Sequence, residues 1–223
     1  MALTDLFGRL RREESVATTG VTDAQPTKAL GRFLSSLPPH PQPVVLDLGP
    51  VVGANLTFLG VEFGCKIFVE DLFKDVDRHA REGKLDQLPA FLAARFPQKN
   101  GSLSGILCWD VFDYLDRPAL RALAAQLTRI LMPQGVMLAF FNQSEKAAEA
   151  SNLKPEYTKY VIASHNGFQY RPYAAARGKR RPVPNRDIQR LFEPLRITDQ
   201  FLLKTNLREV LFRKPPDKPA SPA

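Results

Sequence analysis

The feature that most constrains this chain is a set of four short, wholly apolar runs separated by helix-like segments. They read "PVVLDLG" at 43–49, "CKIFVED" at 65–71, "SGILCWDV" at 104–111 and "GVMLAFFN" at 135–142. A strand with one face in water alternates apolar and polar residues. These runs do not alternate, so both of their faces are covered, as in a parallel sheet enclosed by helices. The intervening pieces supply helices: "ANLTFLGVEFG", "LDQLPAFLAARF" and "RPALRALAAQLTRIL", the last with Pro118 near its amino end, where a missing N–H leaves no bond unmade. The end of the chain differs. "NRDIQRLFEPL" reads as a helix, and "RITDQFLLKTNLREVLFRK" as two strands around the turn "KTN". The predicted fold is α/β: a three-layer sandwich of a mostly parallel twisted sheet flanked by helices, with a C-terminal antiparallel β-hairpin at the sheet edge.

This domain is expected over residues 27–214, with Thr27 capping "KALGRFLSSL" and Pro38 and Pro39 stopping it. Residues 1–26 read as an N-terminal arm, helical or partly disordered, with Leu3, Leu6, Phe7 and Leu10 on one side, and residues 215–223 as a disordered, proline-rich tail. No apolar run approaches the ~18 residues that cross a bilayer, and the start has no signal-peptide core. Cys65 and Cys108 lie inside apolar runs without CxxC spacing, and His40, His79 and His165 are scattered. A cytoplasmic protein with no metal site and no membrane partner is the expectation. The net charge of +8 and pI near 9.7 point to anionic partners. Much of the excess is local: "RPYAAARGKRRPVPNR" at 171–186 contains Arg171, Arg177, Lys179, Arg180, Arg181 and Arg186 and no acid.

In an open parallel sheet, ligands bind beyond the carboxyl ends of the strands. The first strand-to-helix turn is therefore the candidate site. Gly49 and Gly53 let the backbone approach a ligand, although a Gly-x-x-x-Gly after a strand also serves simply to turn a chain. An acid, Glu70 or Asp71, ends the second run at the distance expected of a ribose-binding carboxylate in a nucleotide-binding βαβ unit. Asp110 ends the third run, with aromatic residues after it, and "LMPQG" makes a tight helix-to-strand turn before the fourth.

In order and spacing these stretches resemble the class I S-adenosylmethionine-dependent methyltransferases, which have a Rossmann-like fold. Asp47 to Gly53, "DLGPVVG", stands where that family has acid-x-Gly-x-Gly-x-Gly; "CKIFVED", "ILCWDVFDYL", "ILMPQGVMLAFF" and "LREVLFRK" resemble its later strand motifs. The resemblance implies S-adenosyl-L-methionine as cofactor. It implies that Asp47 orients the glycine loop and the methionine amino group, that Gly49 and Gly53 lie beneath the cofactor, and that Glu70 or Asp71 binds the ribose. Asp110 would line the methionine side. The chain departs from the pattern at Val51, in place of the middle glycine, where a Cβ either narrows the pocket or forces the loop outward. Gln134 replaces a turn glycine, and no third strand carries an acid for the adenine.

The implied reaction is methyl transfer, whose rate comes chiefly from aligning the acceptor with the activated methyl group. Asp110 and His165 are the candidates for catalytic work, although a lone histidine in such a strand is more often structural. The segment "EYTKYVIASHNGFQYRPYAAARGKRRPVPNRD" mixes Tyr157, Tyr160, His165, Phe168, Tyr170 and Tyr173 with the arginine cluster. Together they suit an anionic acceptor such as RNA or a small metabolite. The plain alternative is a solvated basic loop above a β-hairpin whose aromatic residues pack internally. Two other functions stand beside methyl transfer: a non-catalytic methyltransferase-like binding module using the segment 171–186, and a nicotinamide-dependent oxidoreductase, which the lack of Gly-x-Gly-x-x-Gly opposes.

Overall fold

The computed structural model describes residues 24–143, 156–177 and 181–217. In chain order the elements are β1 (Gln25–Pro26), α1 (Ala29–Ser35), β2 (Val44–Asp47), α2 (Gly53–Thr57, continuing as a π-helical turn Phe58–Glu62), β3 (Lys66–Val69), α3 (Leu72–Arg81), α4 (Leu88–Ala94), β4 (Leu103–Trp109), α5 (Arg117–Ile130), β5 (Leu131–Asn142), β6 (Glu156–Ser164), β7 (Gly167–Arg177), α6 (Asn185–Leu191), β8 (Arg196–Leu202) and β9 (Leu207–Arg213). The four apolar runs are the parallel strands of a six-stranded sheet ordered β3-β2-β4-β5-β9-β8. β9 lies antiparallel to β5 and pairs with β8 around Lys204–Asn206, so the terminal hairpin closes one edge. This order, with β9 antiparallel beside the edge strand β8, is the mostly parallel sheet with a terminal hairpin that the sequence predicts, and among the described residues no strand lies beyond β3. The expected helix "LPAFLAA" occupies the connection instead.

Two-residue periodicity sorts the strands' side chains into two cores. Leu46, Leu48, Ile106, Cys108, Met137, Ala139, Phe141, Val210 and Phe212 face α3, α4, α5 and α6. Val45, Leu107, Trp109, Val136, Leu138, Phe140 and Leu211 face α1 and the α2 segment. Gly105 is required in β4 because a Cβ there would come within 2.7 Å of Phe33 and Leu37, so its absence lets α1 lie flat on the sheet. Glu209, fully buried on β9, receives the backbone N–H groups of Lys28 and Ala29, each at 3.0 Å. It thereby caps α1 alongside Thr27, whose Oγ1 accepts from Leu30 N at 3.3 Å.

Two local readings change. "LMPQG" is not a turn ahead of the strand: β5 starts at Leu131 and carries an irregularity there, with Gln134 at φ +64°. The long segment after β5 is, in its described part, a three-stranded antiparallel sheet ordered β1-β7-β6, which Gln25–Pro26 of the N-terminal arm joins by pairing with Phe168 and Gly167. The aromatic residues of this hairpin turn inward. Tyr157 and Tyr173 enter the first core, and Tyr160 and Phe168 the second. The remainder of the arm, the tail from 218 and Lys179–Arg180 of the basic segment lie outside the described residues.

Candidate cofactor cleft

The residues singled out from the glycine turn do converge on the carboxyl edge of the sheet. Asp47 ends β2, and its Oδ1 accepts from Gly49 N at 2.8 Å, so it does brace the loop. The same oxygen accepts from Trp109 Nε1 at 2.5 Å. The indole thus supplies the donor that the resemblance assigned to a methionine amino group. Trp109 lies close over Gly49, where a Cβ would stand 2.9 Å from ring atoms Cδ1 and Nε1. Its position is overdetermined. The ladder between β4 and β5 shifts register at this point, and Trp109 takes the left-handed φ of +50°, a strained choice for a large residue. Its ring stacks on Tyr160 at 5.2 Å with 3° between planes and meets the edges or faces of Phe140 and Phe168.

The β6–β7 hairpin covers this arrangement. Asn55 of α2 donates to Tyr160 O at 2.9 Å and accepts from Ile162 N at 2.8 Å, stitching the helix after the glycine loop to β6. On the other side Tyr173 OH donates to Asp71 Oδ2 at 2.6 Å. Asp71 Oδ1 also caps α3 through Lys74 N, and Glu70 forms an ion pair with Arg95 at 2.7 Å. Both candidate ribose carboxylates are therefore held by the chain's own donors. Gly53 opens α2, and Val52 before it has no side chain able to cap. Val51, the residue in place of the middle glycine, is 43% exposed.

Burial governs the electrostatics here. Asp47 is 2% exposed, and desolvation raises its pKa from 3.8 to about 6 against the lowering effect of the Trp109 and Gly49 bonds. Burial, with Asp47 nearby, also pushes the Cys108 thiol well up, and burial with Asp77 and Asp110 pushes up the Tyr157 hydroxyl. Tyr170 is pushed up to about 12 by burial, Glu209 and Asp110. Asp110 is fully buried at the start of a 3-10 turn, Val111–Tyr114, among these phenols and away from solvent. His165 is exposed at the tip of the β6–β7 turn, where its carbonyl lies over Gly31, and is not brought to the loop.

These residues do not fit S-adenosylmethionine as they stand. The face of Gly49 is occupied by an indole, the amino-binding acid is bonded to that indole, and the ribose acids are paired. The features missed in the sequence are Trp109, Asn55 and Arg95, whereas the inward packing of Tyr157, Tyr160, Phe168 and Tyr173 is the plain alternative that the sequence offered. One signal was available: the single tryptophan of the chain ends a strand next to Asp110. Among the described residues no group of three His, Cys, Asp or Glu could hold a metal ion, and no helix is long and apolar enough to cross a membrane.

No family model matches the chain, and no curated protein matches it by sequence. Solved structures do match over most of its length. A SAM-dependent methyltransferase from Archaeoglobus fulgidus is 13% identical, covering 83% of this chain and 91% of its own, with a TM-score of 0.49. The Burkholderia thailandensis 1,6-didemethyltoxoflavin-N1-methyltransferase, with 1,6-didemethyltoxoflavin and S-adenosylhomocysteine bound, is 15% identical over 95% of this chain and 86% of its own, with a TM-score of 0.47. The glycopeptide N-methyltransferase MtfA complexed with S-adenosylmethionine is 16% identical over 86% of this chain and 95% of its own, at 0.44.

Proposed function

We propose that this chain is a binding module built on a methyltransferase-type scaffold, with the cofactor cleft sealed by its own side chains. The observation that carries the reading is the buried Trp109–Asp47 hydrogen bond against Gly49, roofed by the β6–β7 hairpin. Trp109, Tyr160, Phe140 and Phe168 pack together beside Gly49, and opening space there means breaking those contacts. A cytoplasmic setting suits the two free, buried cysteines. Isothermal titration with S-adenosylmethionine and S-adenosylhomocysteine tests the reading. Absence of binding at millimolar ligand is the expected outcome. Micromolar binding, lost in a Glu70→Gln/Asp71→Asn double variant with unchanged far-UV circular dichroism, would overturn it.

Methyl transfer is the second reading, favoured by one specific observation: Asp47, Gly49, Gly53, Glu70 and Asp71 all stand at the carboxyl edge, in the order that the resemblance requires. It demands that the hairpin lift and the indole swing away. In that case Asp47 would orient the amino acid end of the cofactor, Glu70 or Asp71 would bind the ribose, and the cofactor would supply the methyl group.

A further inference from the structure

Away from the sealed cleft, an open groove of about 720 Å³ runs between the amino-terminal half of α5 and the segment 181–184 that leads into α6. Its volume is in the range of ligand sites, ~300–1,000 Å³. The floor is apolar: Leu115, Leu120 and Val183 are buried there, at 2%, 7% and 5% exposure. The walls are arginine. Arg117 and Arg121 stand on α5, Arg181 on the connecting segment and Arg190 on α6. The segment is fixed in place, because Arg181 N donates to the carbonyl of Asp113 at 2.5 Å.

Charge in the groove is not balanced. Of its three acids, Asp116 has a carboxylate oxygen bonded to Ala119 N at 3.0 Å, and Asp187 is shared by Arg117 at 3.3 Å and Arg186 at 3.9 Å. Glu193 forms no ion pair among the described residues. Arg121, Arg181 and Arg190 form none either, and all three are exposed. Three unengaged guanidinium forks on opposite walls suit successive phosphates, which they grip bidentately. An apolar floor between them suits a base, which a duplex would keep stacked and a single strand presents. The net charge of +8 and the acid-free run 171–186 ending beside the groove favour a polyanion over a small metabolite.

We infer that this groove binds single-stranded RNA through its phosphates. The inference deepens the reading above and rests on it for its purpose, since a module without methyl transfer acts through its partner. The test is fluorescence anisotropy of the full chain with a labelled oligouridylate of about 12 nucleotides, between 50 and 200 mM salt. Micromolar binding is expected, with log K falling against log salt at a slope near −2, as about three phosphate contacts on a single strand require. Arg121→Glu/Arg181→Glu/Arg190→Glu should weaken it at least 10-fold, whereas the equal charge change Lys99→Glu/Arg196→Glu/Lys204→Glu, at exposed residues outside the groove, should cost under 3-fold. No binding, or equal losses in both triple variants, would overturn the proposal. So would uridine monophosphate or a phosphopeptide that binds as tightly as the strand, since either would name a different ligand. The cofactor titration is a separate measurement. RNA binding can fail while the cleft is still shown to be closed, and the reverse holds too.

Discussion

Two concave regions of this protein invert each other. The glycine-turn cleft carries the sequence signature of a ligand site and is filled: its acid is 2% exposed and its glycine lies against an indole. The groove between α5 and α6 carries no motif and is open, and among the described residues its Arg121, Arg181 and Arg190 form no ion pair. The difference teaches that a motif records where a backbone can accept a ligand, whereas side chains from distant segments decide whether it does. Asp47, Gly49 and Gly53 lie within seven residues of local chain. Trp109, Tyr160, Phe168 and Tyr173, which decide the outcome, come from β4 and from a hairpin more than a hundred residues downstream of the turn in part.

If the cleft is a packed core and not a latent pocket, its side chains should behave like core in stability measurements. The largest effect is expected at Trp109. Trp109→Ala removes a buried aromatic ring between Gly49, Tyr160 and Phe140 and should cost ~3–5 kcal/mol in urea unfolding. Trp109→Phe keeps much of the ring but leaves Asp47 without its indole donor, and should cost about 1.5–3 kcal/mol. Loss under 1 kcal/mol in the alanine variant would mean that the ring fills loose space, and the comparison with the groove would collapse. Arg121→Ala in the groove, at an exposed position, should stay within about 0.5 kcal/mol.

The pH dependence at Asp47 is the next largest effect. Its folded pKa, about 6, lies above the model-peptide value of 3.8, so between those values the folded protein holds a proton that the unfolded chain has lost. Stability from this group is therefore fullest below about pH 4, falls as pH rises through the window and is gone above about pH 6. Integrated, the change is roughly 3 kcal/mol. Asp47→Asn keeps the acceptor oxygen and has no proton to lose. Relative to the native protein it should gain about that amount between pH 4 and pH 7.5, measured as the difference in unfolding free energy at the two values. A flat difference would show that Asp47 is wet, as in an open cleft.

Much of this was legible in the sequence. The four parallel strands, the terminal hairpin and the helix in place of a third ribose-side strand follow from short-range periodicity, which the buried faces of β2, β4 and β5 obey. The candidate acids and glycines of the first two turns lie at the carboxyl edge of the sheet. The inward packing of the hairpin's aromatic residues was legible as an alternative, but the sealing was not, because it depends on a strained backbone at Trp109 and on contacts between segments distant in sequence. "LMPQG" failed for a related reason: a proline and a glycine mark a break in the ladder, and here the chain absorbs it within β5 as an irregularity.

Tyr173 offers a smaller test of the roof. Its hydroxyl bonds to the Asp71 carboxylate at 2.6 Å, and Tyr173→Phe should cost about 1.5 kcal/mol, the low end for a bond to a charged group at a partly buried site. A negligible cost would mean that the roof rests on packing alone.

The smallest expected effect separates motif from structure most directly. Val51 is the residue that departs most visibly from the glycine signature, so Val51→Gly repairs the signature at its weakest letter. Its side chain is 43% exposed, and the atoms nearest a Cβ at Gly49 belong to Trp109 and Asp47. The substitution should therefore cost under about 1 kcal/mol, mostly through the added freedom of the unfolded chain, and should leave S-adenosylhomocysteine binding undetectable in titration. If instead the repaired loop bound the ligand, the obstruction would lie in the loop backbone and not in the indole. Trp109 would then be filling a space that the loop had already closed, and the order of cause in the cleft would be reversed.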